Sequence, residues 1–401
     1  MASFLRNGRI ILASITIPTV ATTWWYRPTQ VSRTKDGPER LGWPHMSNIN
    51  IHDEADDTPL FVSVARSILT PIVIIFWRVV MQYSPIGGEI DIKRDENYER
   101  FLAAVARRQP GQPLITVANH RSLFDDPGLM CNLLPWYIGV QPRFLRWNTC
   151  AQEVCFNDGL PSLTSAFFLA GKSLPVWRGG GVNQRPWLDF ARHVANGEWC
   201  HVFPEAGIWQ RPDGLLGGRD AGGHEDVFRS GLKKEEAGKL KWGVGKLIAH
   251  APIPPIVTPF YHKGIEKMLV QNPTTRKLYK PWYQAASLDN GLVVVFGEPI
   301  DFSDLIEEHE KREGKLWKYS PSAKADSMAY ALKTAQAKAL SQGHNAPHIP
   351  SHIPLNSTGE VNFHAYWDST PQEQILYHKI MLRIEQQLEK LSQQVPPSSH
   401  Q

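Results

Sequence analysis

The chain has 401 residues, a formal net charge of +4 and 42% hydrophobic residues, enough apolar material for one large or two modest buried cores. So mild a basic excess does not imply nucleic acid as a partner. The four cysteines, Cys131, Cys150, Cys155 and Cys200, make no CxxC pair and no zinc-ligand spacing, so free thiols are expected.

Residues 1–35 contain Arg6, Arg9, Arg27, Arg33 and Lys35, many Ser and Thr, and no acid before Asp36. That is the composition of a targeting segment. Within it Ile10 to Tyr26 is uncharged and ends in Trp24, Trp25 and Tyr26, as an interfacial anchor would, although Pro18 weakens a helix there. A second apolar segment, Leu60 to Tyr83, carries Arg66 and Arg78 and leaves only Ser67 to Trp77 free of charge. Eleven residues fall well short of the roughly twenty needed to span a bilayer. The segment is expected to lie in the membrane interface with its arginines snorkelling, or to dip in as a hairpin around Pro71; a buried core helix fits the same pattern.

Leu114 to Ala118 reads as a buried strand, with Pro110, Gly111 and Pro113 before it. Asn119 and His120 follow, and Asp126-Pro127 has the form of a helix N-cap with proline at the first helical position, the helix running to about Leu134. Leu174 to Trp177 reads as a short strand that ends at Arg178 and three glycines. Trp187 to Asn196 has helical spacing, Cys200 to Phe203 is the next strand, and Pro204-Glu205-Ala206-Gly207 closes it. Residues 209–239 are rich in glycine and charge and read as a surface insertion. Trp242 to His250 resumes as helix, and Pro255–Phe260 and Leu292–Phe296 read as buried strands. Between Arg229 and Lys280 eleven Lys/Arg face three Glu and are interleaved with Trp242, Tyr261 and Trp282, which suits an anionic membrane surface or a solvated charged face. Beyond Asp301 come a charged region and an Ala-rich helical stretch from Ala323 to Leu340. His344, His348 and His352 then lie in a Pro-rich stretch read as a polar loop. In a last helix, opened by Thr370-Pro371, Leu376, Ile380, Ile384, Leu388 and Leu391 stripe one side for its own domain or a partner helix.

Strand, helix, strand in this order implies a mostly parallel α/β sheet, whose ligand sites gather beyond the carboxyl ends of its strands. His120, Arg178 and Glu205 all stand at such ends. His120 and Asp125 are about 140° out of phase on a regular helix, so they can meet only if the chain turns between them. A carboxylate on one imidazole nitrogen would leave the other free as a general base. Roughly one His-x4-Asp pair arises by chance in such a chain, and His52 with Asp57 is a second example. On the local pattern, a strand-end histidine satisfied by ordinary hydrogen bonds fits equally well.

The motifs NHRSLFDDP at Asn119–Pro127, GKSLPVWRGGGVNQ at Gly171–Gln184, NGEWCHVFPEAG at Asn196–Gly207, and LKWGVGKLIAH with PIVTPFYHKG at Leu240–Gly264 change that balance. In this order the chain resembles the lysophospholipid acyltransferase superfamily from about Leu60 to Ser303, and within it the branch that exchanges acyl chains between phospholipids and remodels cardiolipin in mitochondria. The resemblance implies His120 as general base and Asp125 as its partner, with Asn119, Arg178, Glu205 and Gly207 toward the lipid's phosphate and glycerol. It implies phospholipid and lysophospholipid substrates, no cofactor or metal, a monotopic protein on membranes facing the mitochondrial intermembrane space, and an open oligomeric state. Two features depart from the pattern: Ala206 stands where the family motif has glycine, and the 209–239 insertion is long. The expected organisation is a targeting segment (1–35), an acyltransferase domain (60–303) that includes the interfacial segment 60–83, and a helical extension (304–401). Competing expectations are an acyl-CoA-dependent acyltransferase, a hydrolase using Ser122 or water without any GxSxG elbow, and a non-catalytic membrane scaffold.

Overall fold

The computed structural model describes residues 60–83, 88–155, 167–168, 170–176, 181–182, 185–210, 216–217, 238–272, 291–318 and 369–395. The targeting segment, Arg178, most of the 209–239 insertion, the Ala323–Leu340 stretch and the three loop histidines lie outside these residues.

Among the described residues seven strands form two sheets: β1 (Ile90–Ile92), β2 (Leu114–Ala118), β3 (Asn148–Ala151), β4 (Ser173–Val176), β5 (Trp199–Val202), β6 (Ile256–Lys263) and β7 (Leu292–Phe296). Five pair in the order β1-β7-β6-β2-β5 and two as β3-β4. A single parallel bridge, Trp147 to Cys200, joins the pair to the edge of the five. All pairings are parallel except β6 with β7. The expected α/β architecture with a mostly parallel sheet is therefore present, with β7 and its parallel neighbour β1 running opposite to β6, β2 and β5. Neither β1 nor β3 stands out in the sequence, because each is three or four residues long.

Every residue of β2 is buried. Leu114 and Ala118 face a core completed by Phe101, Leu133, Phe260 and Phe296. Ile115 and Val117 face the opposite core with Phe190, Val202 and Val257. Burial on both faces explains why β2 reads as an unbroken apolar run instead of an alternation. Helices cover both sides: α1 (Leu60–Tyr83), α2 (Glu96–Arg107), α3 (Met130–Leu133), α4 (Arg185–Ala195), α5 (Gly243–Ala249), α6 (Ser303–Glu313) and α7 (Pro371–Ser392). Asp95 caps α2 by accepting the backbone N–H groups of Asn97 and Tyr98 at 3.0 and 3.2 Å.

The apolar stripe of α7 packs into the main core, where Leu376, Tyr377, Ile380, Ile384 and Leu388 join the residues of α5. Thr370 and Glu373 form a reciprocal capping box that starts the helix just before Pro371. Gly245 of α5 permits the close crossing: a Cβ there would lie 2.5 Å from the Tyr377 carbonyl oxygen.

Three expectations are corrected. First, α1 is one continuous helix through Pro71, not a hairpin, and its arginines do not snorkel. Arg66 is 8% exposed and sits over the Trp147 ring at 4.9 Å. Arg78 donates to the carbonyls of Cys131 and Leu134, satisfying the end of α3. The outward face instead presents Ile72, Ile75, Phe76 and Val79, all about half exposed. Second, Asp126 does not cap a helix. Its backbone is extended (φ −138°, ψ 117°), the Asp126–Pro127 peptide is cis, and its carboxylate pairs with Arg146 and accepts from Asn148. Third, Cys150 and Cys155 form a disulfide, because the turn from β3 into the following helical turn brings their Cα atoms to 6.2 Å; Cys131 and Cys200 are free and buried.

Candidate active site

β2 ends at Ala118, and the chain then leaves the sheet through Asn119 and His120. Asn119 is fully buried and clamps this exit to β6: its amide donates to the His262 carbonyl at 2.8 Å and its oxygen accepts the His262 N–H at 3.0 Å. His262 returns the contact, its ring Nε2 donating to the Asn119 carbonyl at 2.9 Å. These three bonds fix where the loop begins.

The loop then turns back on itself. Asp125 is fully buried, and one oxygen, Oδ2, accepts the His120 Nδ1–H at 2.8 Å and the backbone N–H groups of Arg121 and Ser122 at 2.6 and 3.0 Å. The His262 ring lies 3.7 Å from the same oxygen. Burial alone would raise the Asp125 pKa, but the facing His262, the His120 bond and the Ser122 amide outweigh it and hold the carboxyl below its ordinary range. An ionised Asp125 fixes the proton of His120 on Nδ1 and leaves Nε2 as the unprotonated nitrogen. The imidazole stacks on Phe203 at 4.2 Å and 12°, with its side chain 20% exposed.

His120 lines an apolar cavity between α1 and the sheet, with Val73 and Ile74 of α1, Leu123, Phe203 and Ile208 among the walls. A hydroxyl entering this cavity meets the basic nitrogen of a histidine oriented by a carboxylate, the arrangement that activates an alcohol.

Glu205 is 2% exposed, and its carboxylate does not face that space. It accepts the backbone N–H of His120 at 2.7 Å and that of Gly217. Burial pushes its pKa up to about 7, against the pull of those two amides and of Arg121. The next residue, Ala206, has φ +52°, the left-handed conformation that glycine adopts freely. The backbone path that glycine would supply is thus kept by alanine under strain, and Gly207 leads on to Ile208 in the cavity wall.

The start of the insertion is tied to this loop. The Trp209 N–H donates to the His120 carbonyl at 2.9 Å, Arg121 donates to the Trp209 carbonyl at 2.7 Å, and the Gln210 amide donates to the Arg121 carbonyl at 2.8 Å.

The structure therefore brings Asn119, His120, Asp125 and Glu205 together, while Arg178 lies outside the described residues. Sequence reasoning passed over His262, Arg146 and Asn148. His262 carried a usable signal, a polar residue at the end of a strand. Arg146 and Asn148 carried none, since their place depends on Trp147 bridging to β5.

Residues 89–263, which contain the loop and its clamps, match the sequence model of the Acyltransferase family. That stretch is an acyltransferase-family domain. Among relatives, the chain is 33% identical over 249 residues to tafazzin of Drosophila melanogaster, covering 59% of this chain and 56% of the relative. It is also 33% identical over 206 residues to N-acylphosphatidylethanolamine synthase of Arabidopsis thaliana, covering 51% and 62%. To a tafazzin of Dictyostelium discoideum it is 31% identical over 162 residues, covering 39% and 47%. The alignments thus span about half to three fifths of each relative. In its matched region the chain is similar to the two tafazzins, and the pair His120 and Asp125 lies inside the stretch that matches the Acyltransferase model.

Proposed function

We propose that this chain moves an acyl group from a phospholipid to a lysophospholipid without coenzyme A, with monolysocardiolipin as an acceptor and mitochondrial membranes as its place of work. The observation that carries the reading is the 2.8 Å bond between His120 Nδ1 and Asp125 Oδ2 at the wall of an apolar cavity. In this reading His120 Nε2 takes the proton of the lysolipid hydroxyl while its oxygen bonds to the ester carbon of the donor. The tetrahedral intermediate then expels the donor's glycerol oxygen, which recovers the proton from His120. One ester is exchanged for another, so the reaction is nearly thermoneutral and no activated donor is required. Base catalysis of this kind contributes about 10²–10⁴ in rate. The apolar face of α1 supports delivery of substrates from a lipid leaflet, with the helix lying in its interface.

The test is transfer of a labelled acyl chain from phosphatidylcholine to monolysocardiolipin in bilayers without coenzyme A, for wild type and His120→Ala. Transfer that the substitution abolishes supports the reading. Transfer only on addition of acyl-CoA moves the protein to a thioester donor, and equal transfer by both proteins removes His120 from the chemistry.

A second reading is favoured by the Arabidopsis relative, which matches as closely in identity. The acceptor is then the amine of phosphatidylethanolamine, which His120 would deprotonate as the amide forms. Appearance of an N-acylated ethanolamine lipid in the same assay, in preference to an exchanged ester, selects it.

A further inference from the structure

The cavity beside His120 is lined largely by apolar side chains, with the hydroxyls of Thr70, Thr149 and Ser173 and one buried charged cluster that the proposed reaction leaves unused. Arg146 and Asn148 are 6% and 8% exposed and line the cavity together with Asp126. Arg146 pairs through Nη2 with Asp126, whose other oxygen accepts the Asn148 side-chain amide. Among the described residues, Arg146 Nε and Asn148 Oδ1 have no hydrogen-bond partner. Leaving such a group unmet in a protein interior is costly, so a cluster with unspent capacity at the wall of a largely apolar cavity points to a ligand.

Charge narrows the ligand. Asp126 already neutralises Arg146, and a phosphate brought to the pair would face the Asp126 carboxylate. A neutral dipole with a strong acceptor oxygen meets no such opposition. Carboxylic esters are of that kind, and they are the reacting group in the proposed exchange. Arg146 and His120 line the same cavity.

On the transacylase reading, we propose that Arg146 binds the ester carbonyl oxygen of the acyl donor and stabilises the negative charge that develops there. When the acceptor oxygen, relieved of its proton by His120, bonds to the carbonyl carbon, the carbonyl electron pair moves onto the oxygen facing Arg146. It returns as the donor's glycerol oxygen departs with the proton from His120. Asn148 orients Asp126, and Asp126 keeps the guanidinium from gripping a substrate phosphate. Burial lowers the Arg146 pKa only to about 9, so the group stays charged at neutral pH.

The experiment measures acyl transfer in bilayers for wild type, His120→Ala, Arg146→Lys and the double variant Asp126→Asn/Arg146→Gln. Thermal denaturation of each confirms folding; the double variant buries no unpaired charge if Arg146→Lys fails to fold. Loss of one oxyanion donor lowers kcat about 10²–10³-fold. The expected result is a loss of that size in both Arg146 variants, with the KM for lysophospholipid within about threefold of wild type. An uncharged phosphonate analogue of the donor ester, whose P=O oxygen takes the carbonyl oxygen's place, should inhibit wild type at least tenfold better than Arg146→Lys. Wild-type kcat in a folded Arg146 variant overturns the inference. So does a tenfold rise in the lysophospholipid KM with kcat kept, which would make Arg146 a phosphate ligand. Absence of transfer by wild type, or full transfer by His120→Ala, instead defeats the underlying reading.

Discussion

Glu205 accepts the backbone N–H of His120 at 2.7 Å, so the acid that closes β5 holds the loop that carries the histidine. The family resemblance assigned this carboxylate to the substrate. Its two amide partners, His120 and Gly217, point to a second role, a brace between loop and insertion. The two roles predict different kinetics. Glu205→Gln can accept only one of the two N–H groups and turns its own NH₂ toward the other. If Glu205 is a brace, kcat falls about tenfold or more as His120 shifts, with the acceptor KM near wild type; a misplacement of 1 Å can cost about 10²-fold. A KM that rises while kcat holds would return Glu205 to the substrate.

The same residue gives a pH signature. The folded-state pKa of about 7 lies above the ordinary glutamate value of 4.5. Stability from this group is therefore fully present below about pH 4.5 and is lost as pH rises through 7. Wild type compared with Glu205→Gln should lose relative stability across that window and level off above it, by at most about 3 kcal/mol. Urea titrations of both proteins between pH 4.5 and 8 measure the difference. A difference that stays constant with pH would mean that the two amides keep Glu205 ionised throughout.

Asp125→Asn tests the histidine's tautomer. His120 Nδ1–H and the Arg121 and Ser122 amides all reach Asp125 Oδ2, so an asparagine oxygen in its place keeps the three bonds without the negative charge that holds the proton on Nδ1 and steadies the imidazolium. Nε2 is the nitrogen needed as base. Acyl transfer should fall by about 10²–10⁴-fold, with the loss in kcat. Isotope-edited NMR of the His120 ring nitrogens should report a weaker preference for the Nδ1-protonated form. Unchanged activity would leave His120 as a strand-end histidine satisfied by its neighbours.

Much of this site was legible because its signals are local. Strand β2, the strand-end position of His120 and the closing of β5 at Glu205 follow from apolar runs and the turn residues around them. The reversed β7 was not legible, since a five-residue apolar run has no direction of its own. Arg146 in the stretch Arg143–Trp147 reads as one more surface cation; only the Trp147–Cys200 bridge carries it under the sheet beside Asp126. Asp126 was misread for the opposite reason. Asp-Pro is a strong helix-start signal, and here the tertiary pair with Arg146 overrides it.

Ala206 shows how a departure from a motif can be absorbed. Its φ of +52° carries a strain of roughly 1–2 kcal/mol for a residue with a Cβ. Ala206→Gly relieves that strain and gives back about 0.4–1 kcal/mol through a freer unfolded chain. The net expectation is a gain of up to about 1 kcal/mol, seen as a modest rise in melting temperature, with acyl transfer unchanged in kind. Ala206→Val should lower the melting temperature, since β-branching makes the left-handed region worse. A lower melting temperature for Ala206→Gly would show that the alanine methyl contributes packing that outweighs its strain.

The outward face of α1 supplies the last test, because its apolar exposure has no structural use among the described residues. Ile75 and Phe76 are each 57% exposed, and Trp136 and Tyr137, on the helical turn that packs beside α1 through Gly139, are 67% and 58% exposed. The two arginines of α1 point the other way, into the domain, so no charge interrupts this face between Ser67 and Trp77. Such a surface suits the acyl boundary of a leaflet, and the cavity that holds His120 opens beside the same helix. Ile75→Asp with Phe76→Asp should reduce cosedimentation with phospholipid vesicles by tenfold or more while shifting the melting temperature little, since both side chains are already half in solvent. Transfer to a detergent-dispersed acceptor should survive in that variant, and transfer between bilayer lipids should not. Vesicle binding that persists at wild-type strength would place the membrane contact elsewhere, with the basic segment between Arg229 and Lys280 next in line.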